Sequence, residues 1–141
     1  MDRIRLIASD MDATLLDEYS RFPPDFEPVI RALAEQGILF AAASGRPLYT
    51  LEAMVPALLD QVILIGDNGG AARWQGKDLF VSEMPAGGWR HLARSTKQAG
   101  DVGLLCGLQT AFAEKQDAKY DPVFRNFYTR VEYVDDLTAV E

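Results

Sequence analysis

Apolar and polar positions alternate in blocks along this chain. Residues 3–9 (RIRLIAS) form a short, partly β-branched apolar run ending at Ser9, which predicts a buried strand. A polar stretch with two prolines follows. Residues 25–36 (DFEPVIRALAEQ) then place Val29, Ile30, Leu33 and Ala34 at helical spacing, with Gly37 as a C-terminal stop. Residues 38–43 (ILFAAA) predict a second buried strand, broken by Ser44-Gly45-Arg46-Pro47. Pro47 opens a helix that reaches about Leu59. Residues 61–65 (QVILI) predict a third strand, stopped by Gly66-Asp67-Asn68-Gly69-Gly70.

Strand, helix, strand, helix, strand, with uniformly apolar strands, is the pattern of an α/β unit: a Rossmann-like parallel sheet with helices on both faces. In such sheets ligands bind beyond the C-terminal strand ends. The three polar breaks, at Asp10–Asp12, Ser44–Arg46 and Asn68–Gly69, all fall there, so they are expected to meet on one edge.

After Gly70 the pattern changes. Residues 71–74 and 78–82 predict a hairpin around Gln75-Gly76-Lys77, and residues 85–100 a helix. Residues 103–114 predict two short strands turning near Gln109, and residues 131–134 one more strand. The expected division is residues 1–84 as the α/β unit and 85–141 as a smaller α+β subdomain. A subdomain of that size has a thin core of its own.

Composition narrows the class. The chain has 141 residues, 48% of them hydrophobic and 25% charged, as in one compact globular protein. The net charge of −7 argues against a nucleic-acid or anionic-membrane surface. The opening apolar run is too short for a signal peptide or a span. The single cysteine excludes an internal disulfide and fits a reducing cytoplasm. Cys106 lies in an apolar stretch and is expected to be buried. His91, on the predicted helix, reads as a surface or packing residue. Tyr120, Phe124, Phe127 and Tyr128 read as subdomain core, and Asp135-Asp136 as a turn or helix start.

The chemistry centres on Asp10 and Asp12. A carboxylate at a strand end can be a nucleophile, a metal ligand or a helix N-cap, and spacing alone favours turn and cap roles. The neighbours alter the balance. Residues 10–16, Asp-Met-Asp-Ala-Thr-Leu-Leu, resemble the first motif of the haloacid dehalogenase superfamily, Asp-x-Asp-Gly-Thr-Leu-Leu. Residues 43–47, Ala-Ser-Gly-Arg-Pro, resemble its second motif in the Cof-type sugar-phosphate phosphatases. Asn68-Gly69-Gly70 is similar to the Asn-Gly-Ala element after their third strand, and residues 131–137 resemble a segment within their cap.

The resemblance implies roles. Asp10 would be the nucleophile, forming an aspartyl phosphate that water then hydrolyses. Asp12 would act as general acid and then base. Mg²⁺ would sit against the Asp10 carboxylate and the Asp12 carbonyl. Ser44, the Gly45 N–H and Thr14 would bind the phosphate, with Thr14 also helping to position Asp12 or the loop. Arg46 would face the phosphate or brace the loop, and Asn68 would steady the site or face substrate. The implied substrate is a small phosphorylated metabolite.

Two departures from the motifs matter. Ala13 stands where the motif has Gly, which strains the loop if it needs positive φ and is harmless otherwise. The later motifs, a Lys and a Gly-Asp-x-x-Asn-Asp-like element, have no counterpart here; Lys77, Lys97, Lys115 and Lys119 all fall in the second half. The expectation is therefore a truncated enzyme: part of the core plus the first part of the cap. It would have an open sheet edge prone to association with another copy, and little turnover from these residues alone. The competing expectation is an inactive binding or assembly module of the same fold. A phospho-accepting signalling domain fits less well, because no paired acids sit in its usual place. No Gly-x-Gly-x-x-Gly follows the first strand, which disfavours a dinucleotide site.

Overall fold

The computed structural model describes residues 3–140. It divides into two compact units between Val81 and Ser82, a few residues before the boundary at residue 84 expected from sequence.

The first unit is a five-stranded sheet in the order β1-β2-β3-β4-β5. Strands β1 (Leu6–Asp10), β2 (Leu39–Ala43) and β3 (Val62–Gly66) are parallel. The antiparallel hairpin β4 (Ala71–Trp74) and β5 (Lys77–Val81) continues the sheet, turning at Gln75-Gly76 with both residues at positive φ. Helix α1 (Phe26–Glu35) joins β1 to β2, and α2 (Leu48–Met54) joins β2 to β3.

Helix α2 stops at Met54, short of the expected Leu59. Pro56 has no N–H to donate and excludes the helical region for Val55, which sits at φ −128°, ψ 47°. One 3₁₀ turn, Pro56–Leu58, completes the connection and buries Leu58.

Both helices cover the same face. Phe26 of α1 packs edge-on against Phe40 of β2, with ring centroids 6.0 Å apart, and stacks on Phe22 at 4.3 Å. Phe40 is in register with Val62, and two residues further along each strand lie Ala42 and Leu64, then Gly66 on β3. A Cβ on Gly66 would lie 3.2 Å from Leu48 Cδ2 of α2, so α2 sits over this face too. Strands added in one direction by right-handed crossovers put successive helices on one side. The core of this unit is therefore Ile30, Phe26, Phe40, Ala42, Leu48, Leu51, Val62 and Leu64. The opposite face carries Leu6, Leu39, Ile63 and Ile65, and no described helix of this unit covers it.

The first strand, expected to be buried, is exposed. It pairs with β2 on one side and is a sheet edge on the other; Leu6 is 53% exposed and Ile7 36%. Val29, counted in the apolar stripe of α1, is also exposed. An apolar strand is buried only where its faces are covered and a strand lies on each side; among the described residues β1 has neither cover over Leu6 nor a strand beyond it.

The second unit holds α3 (Ala86–Ala99), closed by Gly100 in the left-handed conformation, and a three-stranded sheet ordered β6-β7-β8. These strands are Leu104–Cys106, Ala111–Glu114 and Val131–Val134. A 3₁₀ segment, Lys115–Tyr120, and the short α4 (Asp121–Phe124) link β7 to β8. Ala111, Ala113, Val131 and Leu137 are its buried apolar residues, a thin core.

Glu114, buried at the end of β7, takes hydrogen bonds from Lys97 Nζ (2.9 Å), the Leu137 N–H (3.2 Å) and Gln116 Nε2 (2.7 Å). It ties α3 and the C-terminal turn to the sheet. Asp136 caps that turn by accepting from the Thr138 N–H, the helix-start role expected for it. His91 is exposed, and Phe124 and Tyr128 are half-buried, whereas Tyr120 and Phe127 are exposed.

Cys106, expected to be buried, is exposed on strand β6, an edge of its sheet. No described helix is long and apolar enough to cross a membrane.

Candidate active site

The sheet register brings the three polar breaks together. Asp10 pairs with Ala43, and Ala43 with Ile65, so the chain leaves three adjacent parallel strands at one level. Backbone hydrogen bonds then join the second and third loops: Ser44 N–H to Ile65 O (2.9 Å), Asp67 N–H to Arg46 O (3.0 Å) and Asn68 N–H to Ser44 O (3.2 Å). A Cβ on Gly45 would meet Asn68 Oδ1 at 3.0 Å, so the Asn68 side chain lies against Gly45 and braces that loop.

The first loop runs from the end of β1 to α1 and opens with a single wide turn over residues 11–15, closed by the Leu16 N–H donating to Met11 O at 2.8 Å. Met11 is 1% exposed and anchors the turn, while Asp10 and Asp12 on either side stay accessible. The turn requires Ala13 at φ 59°, ψ 12°, the left-handed region. The strained alternative raised by the sequence is thus the one adopted.

The two acids have separate partners. Thr14 Oγ1 donates to Asp10 Oδ2 at 3.0 Å, so Thr14 orients Asp10 rather than Asp12. Asp12 is gripped by Arg46: Nε donates to Oδ2 at 3.1 Å and NH2 to Oδ1 at 2.7 Å, a bidentate fork. Ser44 Oγ donates more weakly to Asp12 Oδ2 at 3.4 Å and accepts the Arg46 N–H at 3.1 Å. Ser44 and Arg46 are each 7% exposed, whereas the Asp12 side chain is 45% exposed. The Arg46 hydrogen bonds and charge hold the Asp12 carboxyl below the usual carboxylate range, against a smaller opposing effect of partial burial. Asp67, half-buried beside Arg46's carbonyl, is pushed the other way by desolvation.

Of five non-glycine residues at positive φ among those described, four lie in these loops: Ala13, Ser20, Asp67 and Asn68. Asp and Asn enter this region readily, but for Ala13 and Ser20 the conformation persists only where surrounding contacts enforce it, and such residues cluster at functional sites. Ser20 carried no signal in the sequence, being one hydroxyl in a polar loop. Its Oγ accepts from Arg46 NH2 at 3.3 Å, a contact that only the folded loop reveals.

A cavity of about 470 Å³ in the second unit is lined by none of these groups. Its lining includes Glu114 with its two donors, Lys97 and Gln116.

Three adjacent parallel strands with two acids at the end of the first and a Ser-Gly-Arg loop after the second define a class. The chain belongs to the haloacid dehalogenase-like hydrolase family, whose model matches residues 7–139. It is 30% identical over 141 residues to the 5-amino-6-(5-phospho-D-ribitylamino)uracil phosphatase YbjI of Escherichia coli K12, covering 98% of this chain and 52% of that protein. SMU.1108c from Streptococcus mutans UA159 shares its fold at a TM-score of 0.89 and 20% identity, over 99% of this chain and 54% of that one. The HAD subclass IIB sugar phosphatase BT4131 shares it at a TM-score of 0.71 and 19% identity, over 92% and 52%. The chain thus spans about half the length of the curated relative it matches.

Proposed function

We propose that this chain carries the phosphoryl-accepting loops of a Mg²⁺-dependent phosphomonoester hydrolase acting on a small sugar phosphate or similar metabolite. The observation that carries this reading is the separate orientation of the two acids, Asp10 by Thr14 and Asp12 by Arg46, at the end of one strand. The substrate class rests on the relatives, YbjI being named for a phosphorylated ribityl compound and BT4131 for sugar phosphates.

In this reading Asp10 attacks phosphorus in line, and the P–O bond to the alcohol breaks with its electron pair leaving on oxygen. Thr14 keeps one Asp10 oxygen occupied, which directs the other toward the incoming group. Asp12 supplies a proton to the leaving alcohol and later removes one from the water that cleaves the aspartyl phosphate. Arg46 holds Asp12 as the carboxylate, the form needed for the second step. Protonation for the first step requires the fork to release at least one oxygen. Ser44 and the Gly45 N–H bind phosphoryl oxygens once Asp12 moves off the Ser44 hydroxyl.

The Asp10 carboxylate and the Asp12 backbone carbonyl are hard oxygen donors that suit Mg²⁺, an ion that retains several waters. Bound there, it would offset repulsion between Asp10 and the phosphate. Among the described residues no group of three or more His, Cys, Asp or Glu side chains could hold a metal, so these donors form an open, partial site. Ala13, held in the left-handed region at φ 59° where the family motif has glycine, favours a second reading, an inactive binding or assembly module of this fold. The acidic chain is expected to engage neither nucleic acid nor membrane, to work in the cytoplasm, and to associate through its β1 edge or its second unit.

Hydrolysis of p-nitrophenyl phosphate and of sugar phosphates, with and without Mg²⁺, distinguishes the two. Mg²⁺-dependent turnover abolished by Asp10→Asn is the expected result. A folded chain with no turnover would refute catalysis by these residues and leave the binding module.

A further inference from the structure

We propose that Ser20 is a positioning residue for Asp12, acting through Arg46; the catalytic part of this proposal rests on the phosphatase reading above. The same NH2 group of Arg46 that donates to Asp12 Oδ1 at 2.7 Å also donates to Ser20 Oγ at 3.3 Å. Arginine has several freely rotating bonds before its planar head. A bidentate grip on Asp12 needs both nitrogens at one height and angle. Burial fixes the stem of Arg46, and Ser20 is a hydroxyl holding its outer end from the first loop.

The chain invests in presenting that hydroxyl. Ser20 sits at φ 59°, a region that glycine, asparagine or aspartate would enter with less strain. The residues around it form a closed loop built on Asp17. Its Oδ1 accepts the N–H groups of Tyr19 and Arg21, each at 2.9 Å, and its Oδ2 accepts Arg21 Nε at 3.0 Å. Its carbonyl accepts the Ser20 N–H, and its own N–H donates to Arg21 O, each at 3.0 Å. The Arg21 guanidinium stacks over the Tyr19 ring at 4.7 Å. The turn these bonds close calls for a left-handed residue before Arg21, but the loop is exposed and covers little core, so a merely connecting role gives no reason to prefer serine there over glycine or asparagine. A short hydroxyl in reach of Arg46 gives one.

The test uses the 141-residue chain with Ser20→Gly, Ser20→Ala and Ser20→Asn. The primary readout is solvent exchange of the Arg46 Nε–H in ¹⁵N-labelled protein, the signal being identified by its loss in Arg46→Lys. Melting temperature is measured alongside. Ser20→Gly relieves the backbone and removes the acceptor. It is expected to melt no lower than the parent while Arg46 Nε–H exchange accelerates roughly three- to tenfold, the equivalent of one hydrogen bond. Ser20→Ala should show the same acceleration, and Ser20→Asn, which tolerates the conformation and offers an amide oxygen, should restore slow exchange. Ser20→Gly exchange within about twofold of the parent, or acceleration that only tracks a fall in melting temperature, would overturn the proposal. In the hydrolysis assay Ser20→Gly should lower kcat with KM unchanged; an equal loss through KM also counts against it. Absence of turnover in the parent chain would instead refute the phosphatase reading, and the exchange result would still decide the contact with Arg46.

Discussion

Ala13 offers the sharpest check on the geometry of the first loop. It occupies φ 59°, ψ 12°, where an L-residue is disfavoured by about 1–2 kcal/mol and glycine is not. Replacing it with glycine removes that strain but loosens the unfolded chain, which returns roughly 0.4–1 kcal/mol. Ala13 is exposed, so no packing is lost. The net expectation for Ala13→Gly is a gain of roughly 0.5–1 kcal/mol in the first unit. Native-state amide exchange at Ala41 and Ala42 isolates that unit, because both residues are buried in the central strand β2. Their exchange should slow by about two- to fivefold. Ala13→Val supplies the opposite sign, since a β-branched side chain tolerates positive φ still less well. Unchanged or faster exchange in Ala13→Gly would refute the assignment of a strained loop.

Other perturbations test other parts of the structure. A Cβ on Gly66 would lie 3.0 Å from both the Arg46 carbonyl and the Leu48 nitrogen, rigid backbone atoms, so Gly66→Ala should cost about 1–3 kcal/mol, read as a fall in the urea midpoint. Burial raises the Asp67 pKa above its unfolded value, so the charged form opposes folding. That penalty is absent below the unfolded pKa and grows as pH rises through the folded one. Asp67→Asn should therefore stabilise at pH 7, by an amount that shrinks as pH falls toward 3.8 in denaturation series, and a pH-independent effect would contradict this origin. Cys106 is exposed and should react with a thiol reagent such as DTNB in native protein without denaturant, whereas a buried thiol would need unfolding first.

Comparing sequence with structure separates two kinds of information. Local pattern located the described strands and the three longer helices, though not Lys115–Tyr120 or α4, because period, Pro and Gly act over a few residues: β8 falls at Val131–Val134 as read, and Pro56 shortens α2 by a rule visible in the chain. The motif residues Asp10, Asp12, Ser44, Arg46 and Asn68 were legible for the same reason, being short stretches at strand ends. The same local pattern erred on exposure. The apolar runs at Leu6–Asp10 and Leu104–Cys106 are strands, yet both are sheet edges, and edge position depends on which strands lie beside them.

Pairings between distant residues were likewise settled only by the tertiary fold. Whether Arg46 faces substrate or grips Asp12 depends on two loops joined through register across β1 and β2, 34 positions apart in the chain. Thr14's choice of Asp10 and Ser20's reach to Arg46 depend on the sign of φ at Ala13 and Ser20. Hydrophobic periodicity is blind to that sign, because the conformation is disfavoured locally and exists only where surrounding contacts enforce it.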